Sequence, residues 1–294
     1  MDGRAAQAVF RKKNLPNSTY FEMAHADFDP KSDSYKHTIE LLERFSNDQI
    51  YMADFCLPLH MIQELLARGN SIYILDHHAS AFPIIDALEN MQDENPHLPI
   101  TVFCSRDNYY SGSKLAWLYF FTEEETPQVI EYISDGDTWK HKYPETKYLY
   151  SAMGDYFGGN TTYPNELMDA MLVSNALTQL IVDKGAVLHE KFLTEVSIYH
   201  RQAELKEFHG HPCYLVEAPK HYTSELGNQL AKACNGIALI YQVEDNGNVY
   251  CSLRSIPDIF VNEIAETYNG GGHEHASAFR FDSVTKLHNL FQKE

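Results

Sequence analysis

The chain has 294 residues, which is longer than one average domain, and 44% of them are hydrophobic, which excludes a disordered protein. The formal net charge of −18 argues against a partner that is a long duplex nucleic acid, because affinity for polyanions comes largely from cationic contacts to phosphates. No apolar run is long enough to span a bilayer and no leader sequence is recognised, so we expect a cytoplasmic protein without a membrane partner.

The first half of the chain alternates short apolar runs with helical patterns. Strands are predicted at Gln49–Phe55, Ser71–Leu75 and Pro99–Cys104. Helices are predicted at Leu59–Arg68, Ile84–Asn90, Ser113–Phe121 and Gln128–Ile133. This alternation predicts an α/β fold, in which a parallel sheet is covered by helices on both faces. In such sheets a ligand binds beyond the carboxyl ends of the strands.

The second half changes character twice. The pattern is helical from about Tyr163 to Phe208, and Gly185–Phe208 is predicted to form one long helix. Further strands are predicted at Cys213–Glu217, Ala238–Val243 and Val249–Arg254, and a short helix at Asn262–Tyr268. We therefore predict three parts: an α/β domain over residues 1–145, a helical connector over residues 146–208, and a smaller α/β domain over residues 209–294.

Polar residues follow two of the predicted parallel strands. Asp54 ends the first strand, and Asp76-His77-His78 directly follows the second. Neighbouring parallel strands would place Asp54 and His77 side by side at the edge of the sheet. Imidazole and carboxylate groups suit manganese, zinc or iron. The alternatives are a surface loop that holds two histidines and an aspartate that caps the following helix.

Acidic residues also occur beside glycines at two other places. Asp2-Gly3 opens an apolar helical pattern, and Asp135 and Asp137 flank Gly136 after another helix. Such alternating carboxylates could hold a metal ion, although Asp-Gly is also an ordinary turn pair. The residues alone leave open which of Asp135 and Asp137 would be the ligand.

The C-terminal part carries a group of residues that could bind phosphate. Gly270-Gly271-Gly272-His273 follows a helix, and successive glycines let backbone N–H groups approach an anion closely. Arg254 ends a strand and offers a guanidinium that matches phosphate geometry. The alternatives are a flexible surface loop and a surface salt bridge.

Taken in order along the chain, these motifs resemble the DHH phosphoesterase superfamily with its C-terminal DHH-associated domain. Asp2-Gly3, Asp54, Asp76-His77-His78 and Asp137 are similar to four catalytic motifs, and LRSIPDIFVNEIAETYNGGGH is similar to the signature of the associated domain. Within the superfamily, SGSKLAWLYF, SELGNQLA and SLRS most resemble the nano-RNase B-like oligoribonuclease branch.

The resemblance implies a catalytic domain that binds two manganese or magnesium ions. By analogy, Asp2, His77 and Asp137 hold one ion, Asp54 bridges to the other, and His78 contacts the scissile phosphate, so that Asp54, His77 and His78 are the catalytic residues. The residues that would grip the substrate are His78, Arg254, Asn262, Gly270, Gly271, Gly272 and His273. The family's first motif begins with a strand that ends in histidine, and no such segment precedes Asp2 here, so one ion would lose ligands.

The leading hypothesis is a metal-dependent phosphodiesterase that acts on short oligoribonucleotides or small nucleotides. One alternative is a nucleotide-binding protein with reduced or no hydrolysis, because of the shortened first motif. Another is a phosphatase for a mononucleotide 3′,5′-bisphosphate. A polymer exonuclease is disfavoured by the charge, and a homodimer is left open.

Overall fold

The computed structural model describes residues 1–28, 30–156 and 164–291. The chain divides into two compact units, Met1–Leu188 and His189–Glu294, and the boundary falls within a helix that runs over Asn175–Gln202. The predicted three-part domain division, whose connector includes residues outside the described ranges, stays a prediction. Within the described ranges, no helix is both long and apolar enough to cross a membrane.

The first unit contains a parallel sheet of three strands. They are β1 (Gln49–Ala53), β2 (Ser71–Leu75) and β3 (Ile100–Val102), in the order β1-β2-β3. Ala53 and Leu75 are the last paired residues of β1 and β2. All three strands were predicted, because runs that are apolar on both faces are typical of a covered parallel sheet.

Helices cover both faces of this sheet. The helices along this part of the chain are α1 (Asp2–Lys13), α2 (Tyr35–Leu42), α3 (Leu59–Ala67), α4 (Phe82–Glu94), α5 (Gly112–Phe120), α6 (Gln128–Asp137), α7 (Glu145–Tyr156), α8 (Asn165–Val173) and α9 (Asn175–Gln202), with short 3-10 turns at His25–Phe28 and Ala79–Ala81. On one face Leu75 joins a core with Val9 and Trp117, and on the other Ile74 joins Ile62.

The second unit is built on a mixed sheet of six strands in the order β4-β5-β6-β7-β9-β8. The strands are β4 (Glu204–Phe208), β5 (His211–Glu217), β6 (Ile237–Val243), β7 (Val249–Ser255), β8 (Gly271–His273) and β9 (Ala276–Phe281). The helices are α10 (Thr223–Cys234), α11 (Val261–Glu266) and α12 (Val284–Asn289), with a 3-10 turn at Lys220–Tyr222. The predicted α/β class, with a parallel sheet and flanking helices in the first part, is confirmed.

The predicted helix over Gly185–Phe208 is wrong at its end. Helix α9 stops at Gln202, and β4 pairs antiparallel with β5. The two residues that connect β4 to β5, His209 and Gly210, both have positive φ angles, of 49° and 78°. That geometry makes a tight hairpin turn. Strand pairing therefore overrides the helical propensity of the ELKEF segment.

Helices α7 and α9 approach each other closely in the first unit, and a substitution at this contact tests how they pack. A Cβ atom at Gly185 in α9 would overlap the carbonyl oxygen of Tyr148 in α7. We expect Gly185→Ala to lower the free energy of unfolding by about 1–3 kcal/mol, because overpacking forces the backbone apart. The matched control is Gly154→Ala in α7, where no atom of the described residues lies within 4 Å of the added Cβ outside the helix's own backbone and the adjacent residues. It should be neutral or stabilise by up to about 1 kcal/mol. Equal unfolding midpoints in chemical denaturation would contradict the packing.

Candidate metal centre

Asp54 is held at the carboxyl end of β1 by an unusual backbone conformation. Its φ angle is 59°, in the left-handed region that aspartate and asparagine tolerate better than most residues. Its N–H donates to the carbonyl oxygen of Leu75 at 3.0 Å, which ties it to the end of β2. A Cβ atom at Gly112 would lie 2.5–2.7 Å from three atoms of Asp54, so only glycine lets α5 begin here.

His77 lies between two carboxylates. Its Nε2 atom is 3.3 Å from Oδ1 of Asp54 and 3.1 Å from Oδ2 of Asp137. Its Nδ1 atom is 2.8 Å from Oδ1 of Asn108. Because an amide oxygen only accepts hydrogen bonds, Nδ1 donates to Asn108 and Nε2 faces the carboxylates. The expectation that parallel strands bring Asp54 and His77 side by side is confirmed.

Asp76 positions the two histidines that follow it. Its carboxylate is 1% exposed. Its Oδ1 atom accepts from the backbone N–H groups of His77 at 2.8 Å and His78 at 3.2 Å, and lies 2.7 Å from Nδ1 of His78. This hydrogen bond raises the pKa of His78 above its ordinary value. No separate role was predicted for Asp76, although a carboxylate at the end of an apolar strand must be paired if it is buried.

Asp2 reaches the same place from the first turn of α1. It is 2% exposed. Its carboxylate accepts from the hydroxyl of Ser111 at 2.8 Å, and from both the hydroxyl and the backbone N–H of Ser113. Burial, followed by the charges of Asp54 and Asp137, raises the pKa of Asp2 to about 7. The two serines were missed in the sequence, because nothing in SGSK marks them as partners of a residue more than 100 positions away.

The structure brings four of the predicted residues together. One ligand atom from each of Asp2, Asp54, His77 and Asp137 lies within 4.8 Å of all the others. Asp54 and His77 also form a group with His78. Three carboxylates and an imidazole fit a divalent cation in both atom type and charge.

The structure places Asp137, and not Asp135, in this cluster. Asp135 is 4% exposed and accepts from the hydroxyl of Thr146 at 2.6 Å and from the backbone N–H of Lys142 at 2.7 Å. These bonds fix the segment that follows α6. Asp135 therefore has a structural explanation that does not involve a metal.

Apart from His78, the residues predicted to bind the substrate lie in the second unit. Arg254 is on β7 and donates to Ser224 at 3.1 Å, and burial lowers its pKa. Asn262 is in α11, and its buried Oδ1 atom has no hydrogen-bond partner among the described residues. Gly271–His273 forms the edge strand β8, and Gly270 directly precedes it. Their role in substrate binding stays a prediction.

Comparison with known proteins identifies part of the chain. Residues 218–293, in the second unit, match the DHHA1 domain family. Uncharacterized protein R106 of Acanthamoeba polyphaga mimivirus is 26% identical over 274 residues, which cover 86% of this chain and 58% of the relative. The chain therefore spans little more than half the length of that relative.

Three solved structures share the fold at 14% sequence identity each. A DHH domain from a member of the s1p family of ribosomal proteins has a TM-score of 0.55, covering 99% of this chain and 82% of the other. The pGpG-specific phosphodiesterase PggH from Vibrio cholerae has a TM-score of 0.53, covering 98% and 92%. Exonuclease RecJ bound to manganese has a TM-score of 0.51, covering 99% and 85%. The predicted DHH-type fold is confirmed by these likenesses.

Removing one charge from the cluster tests metal binding. Asp54→Asn keeps a residue that tolerates the left-handed backbone but removes the carboxylate shared by both groups of ligands. We expect Mn²⁺ affinity, measured by isothermal titration calorimetry, to fall by about a hundredfold or more. The matched control is Asp93→Asn, an exposed carboxylate on α4. Unchanged affinity in Asp54→Asn would show that the cluster does not hold the ion.

The protonation of the cluster predicts how metal affinity depends on pH. Burial lowers the pKa of His77, but its hydrogen bonds, chiefly with Asp137 and Asp54, raise it to about 11. A metal ion that binds Nε2 must therefore displace a proton at neutral pH, and below pH 7 it must also displace one from Asp2. We expect Mn²⁺ affinity to rise about tenfold per pH unit above neutrality, and more steeply below it. An affinity that does not change with pH would contradict this assignment.

Proposed function

We propose that this protein is a metal-dependent phosphodiesterase that cleaves short oligoribonucleotides, of the nano-RNase B-like kind. The observation that carries the proposal is the cluster of Asp2, Asp54, His77 and Asp137 at the carboxyl end of the parallel sheet, in which Asp2 and His77 are buried. A DHHA1 domain and a fold shared with a phosphodiesterase and with a manganese-bound exonuclease support it.

Two divalent cations, manganese by preference, are proposed as cofactors. Asp2, His77 and Asp137 would hold one ion, and Asp54 would bridge to a second ion beside His78. Such ions act as Lewis acids, which lower the pKa of water and neutralise the charge that develops on phosphate. A bound ion would offset the repulsion between the three carboxylates and would take the place of the protons on Asp2 and His77.

His78 is the residue proposed to contact the scissile phosphate. Its Nδ1 atom lies 2.7 Å from Oδ1 of Asp76, which fixes the orientation of the ring. The bond to Asp76 favours the imidazolium form, and an imidazolium can donate a charge-assisted hydrogen bond to a phosphate oxygen. Asp76 therefore acts through His78, as a positioning residue.

A short substrate is favoured over a long one. The net charge of −18 repels a polyanion at distances shorter than the screening length of the salt solution. A dinucleotide carries few phosphates, and divalent cations at the cluster would neutralise them locally. Arg254, Asn262, Gly270, Gly271, Gly272 and His273 are proposed to bind the rest of the nucleotide.

Hydrolysis of a defined substrate panel tests the proposal. We expect Mn²⁺-dependent cleavage of a 5′-phosphorylated adenylyl dinucleotide, with kcat/KM at least about a hundredfold lower in Asp54→Asn. Asp93→Asn serves as the control and should match the unchanged protein. An RNA of twenty nucleotides should be cleaved more slowly than the dinucleotide. Release of phosphate from adenosine 3′,5′-bisphosphate without dinucleotide cleavage would overturn the diesterase in favour of a phosphatase.

A further inference from the structure

Trp139 is an exposed aromatic residue that packing does not explain. The chain has two tryptophans; Trp117 is 2% exposed and Trp139 is 72% exposed. The φ angle of Trp139 is 54°, in the left-handed region that bulky residues rarely adopt. Both its exposure and its backbone conformation cost free energy, so the surrounding structure must hold it there.

Buried Asp135 provides that support. Its carbonyl oxygen accepts from the N–H of Lys140 at 3.0 Å, and its carboxylate accepts from the N–H groups of Lys142 and Tyr143 at 2.7 Å and 3.3 Å. These bonds fix the backbone immediately after Trp139. The indole is therefore presented from an ordered segment.

Two connections link Trp139 to the metal centre. Trp139 is two residues after Asp137, so their Cα atoms are at most about 7.6 Å apart. On the other side, Tyr109 follows Asn108, which accepts the hydrogen bond from His77. Lys140 joins the two segments, because its ammonium group donates to the carbonyl oxygen of Tyr109 and lies 3.5 Å from the centre of that ring.

We call Tyr109, Trp139, Lys140, His141 and Lys142 the aromatic patch. Tyr109 is 53% exposed, and the ring of His141 meets that of Trp139 edge to face at 5.3 Å. The patch concentrates two lysines in a chain with a net charge of −18, and three acidic groups, Asp107, Asp135 and Glu131, act on Lys140. Aromatic rings beside cations, next to a site for phosphate, match a nucleobase and its neighbouring phosphate.

We propose that Trp139 is a stacking platform for the base of the nucleotide next to the scissile phosphate, with Lys140 and Lys142 attracting its phosphates. This inference rests on the proposed function and specifies its substrate as one that carries a base on a single-stranded chain. It makes the base, and not only the phosphate, a determinant of affinity. A second protein copy that covers the patch is the competing explanation.

Tryptophan fluorescence tests the stacking directly. In EDTA, where metal-dependent cleavage cannot proceed, the protein is titrated with a 5′-phosphorylated adenylyl dinucleotide and with its abasic counterpart. Because Trp117 is buried, a change in the emission of the exposed tryptophan reports on Trp139. We expect quenching by the dinucleotide and little quenching by the abasic compound. Equal quenching by both compounds, or none by either, would overturn the proposal.

Substitutions at position 139 test whether the indole ring of Trp139 is what binds the dinucleotide. Equilibrium dialysis with the radiolabelled dinucleotide should show binding weakened about five- to hundredfold in Trp139→Leu, the range expected for loss of one stacked base. Trp139→Phe, which keeps a stacking ring, should stay within about twofold. Phe21→Leu, at another exposed aromatic position, is the matched control and should leave binding unchanged. Identical affinities of Trp139→Leu and Trp139→Phe for the dinucleotide would contradict the proposal.

Further outcomes separate this inference from the proposed function and from a protein partner. Cleavage of the dinucleotide in Mn²⁺ without quenching in EDTA would keep the function and reject the platform. Quenching without cleavage would keep the platform and reject the function. Dimerisation at the assay concentration that is lost in Trp139→Leu, without an effect on nucleotide binding, would assign the patch to a second copy and overturn the platform.

Discussion

The repulsion between carboxylates around His77 is the interaction on which the rest of the first unit depends. Asp2, Asp54 and Asp137 lie with their oxygen atoms within 4.8 Å of one another and of His77. Carboxylates this close repel one another, which destabilises the folded state unless other groups compensate. Burial makes the repulsion stronger. Burial, followed by the charges of Asp54 and Asp137, raises the pKa of Asp2 to about 7, and hydrogen bonds with Asp137 and Asp54 raise the pKa of His77 to about 11 against the effect of its burial.

The fold also supplies uncharged hydrogen-bond partners to the side chains of the cluster. Ser111 and Ser113 satisfy the carboxylate of Asp2 with three donors, and Asn108 fixes the ring of His77. None of these partners carries a charge that could neutralise the cluster permanently. A cation that binds there therefore meets ligands that are already positioned and still carry net negative charge. Preorganisation of this kind is what an ion-dependent hydrolase requires.

Features that depend on residues close together in the sequence could be predicted, and features that depend on packing between distant segments could not. The three strands of the first unit were predicted because each is a continuous apolar run. The meeting of Asp54 with His77 followed from parallel pairing alone. The placement of Asp2 and Asp137 beside them came only from the family resemblance, since helix packing sets it. The strand Glu204–Phe208 was missed because its composition favours a helix and its pairing depends on a two-residue turn. Trp139 attracted no notice, because exposure cannot be read from a sequence.

The contact between Asp54 and Gly112 limits how the ligands of this candidate metal centre could be redesigned. A softer ligand, such as histidine or cysteine at position 54, would have to adopt a left-handed backbone against the start of α5 with no room to adjust. Asp137 ends its helix and its side chain is 31% exposed, so a replacement there can move. Engineering for zinc or iron would therefore begin at position 137 and leave position 54 as the fixed point of the coordination sphere.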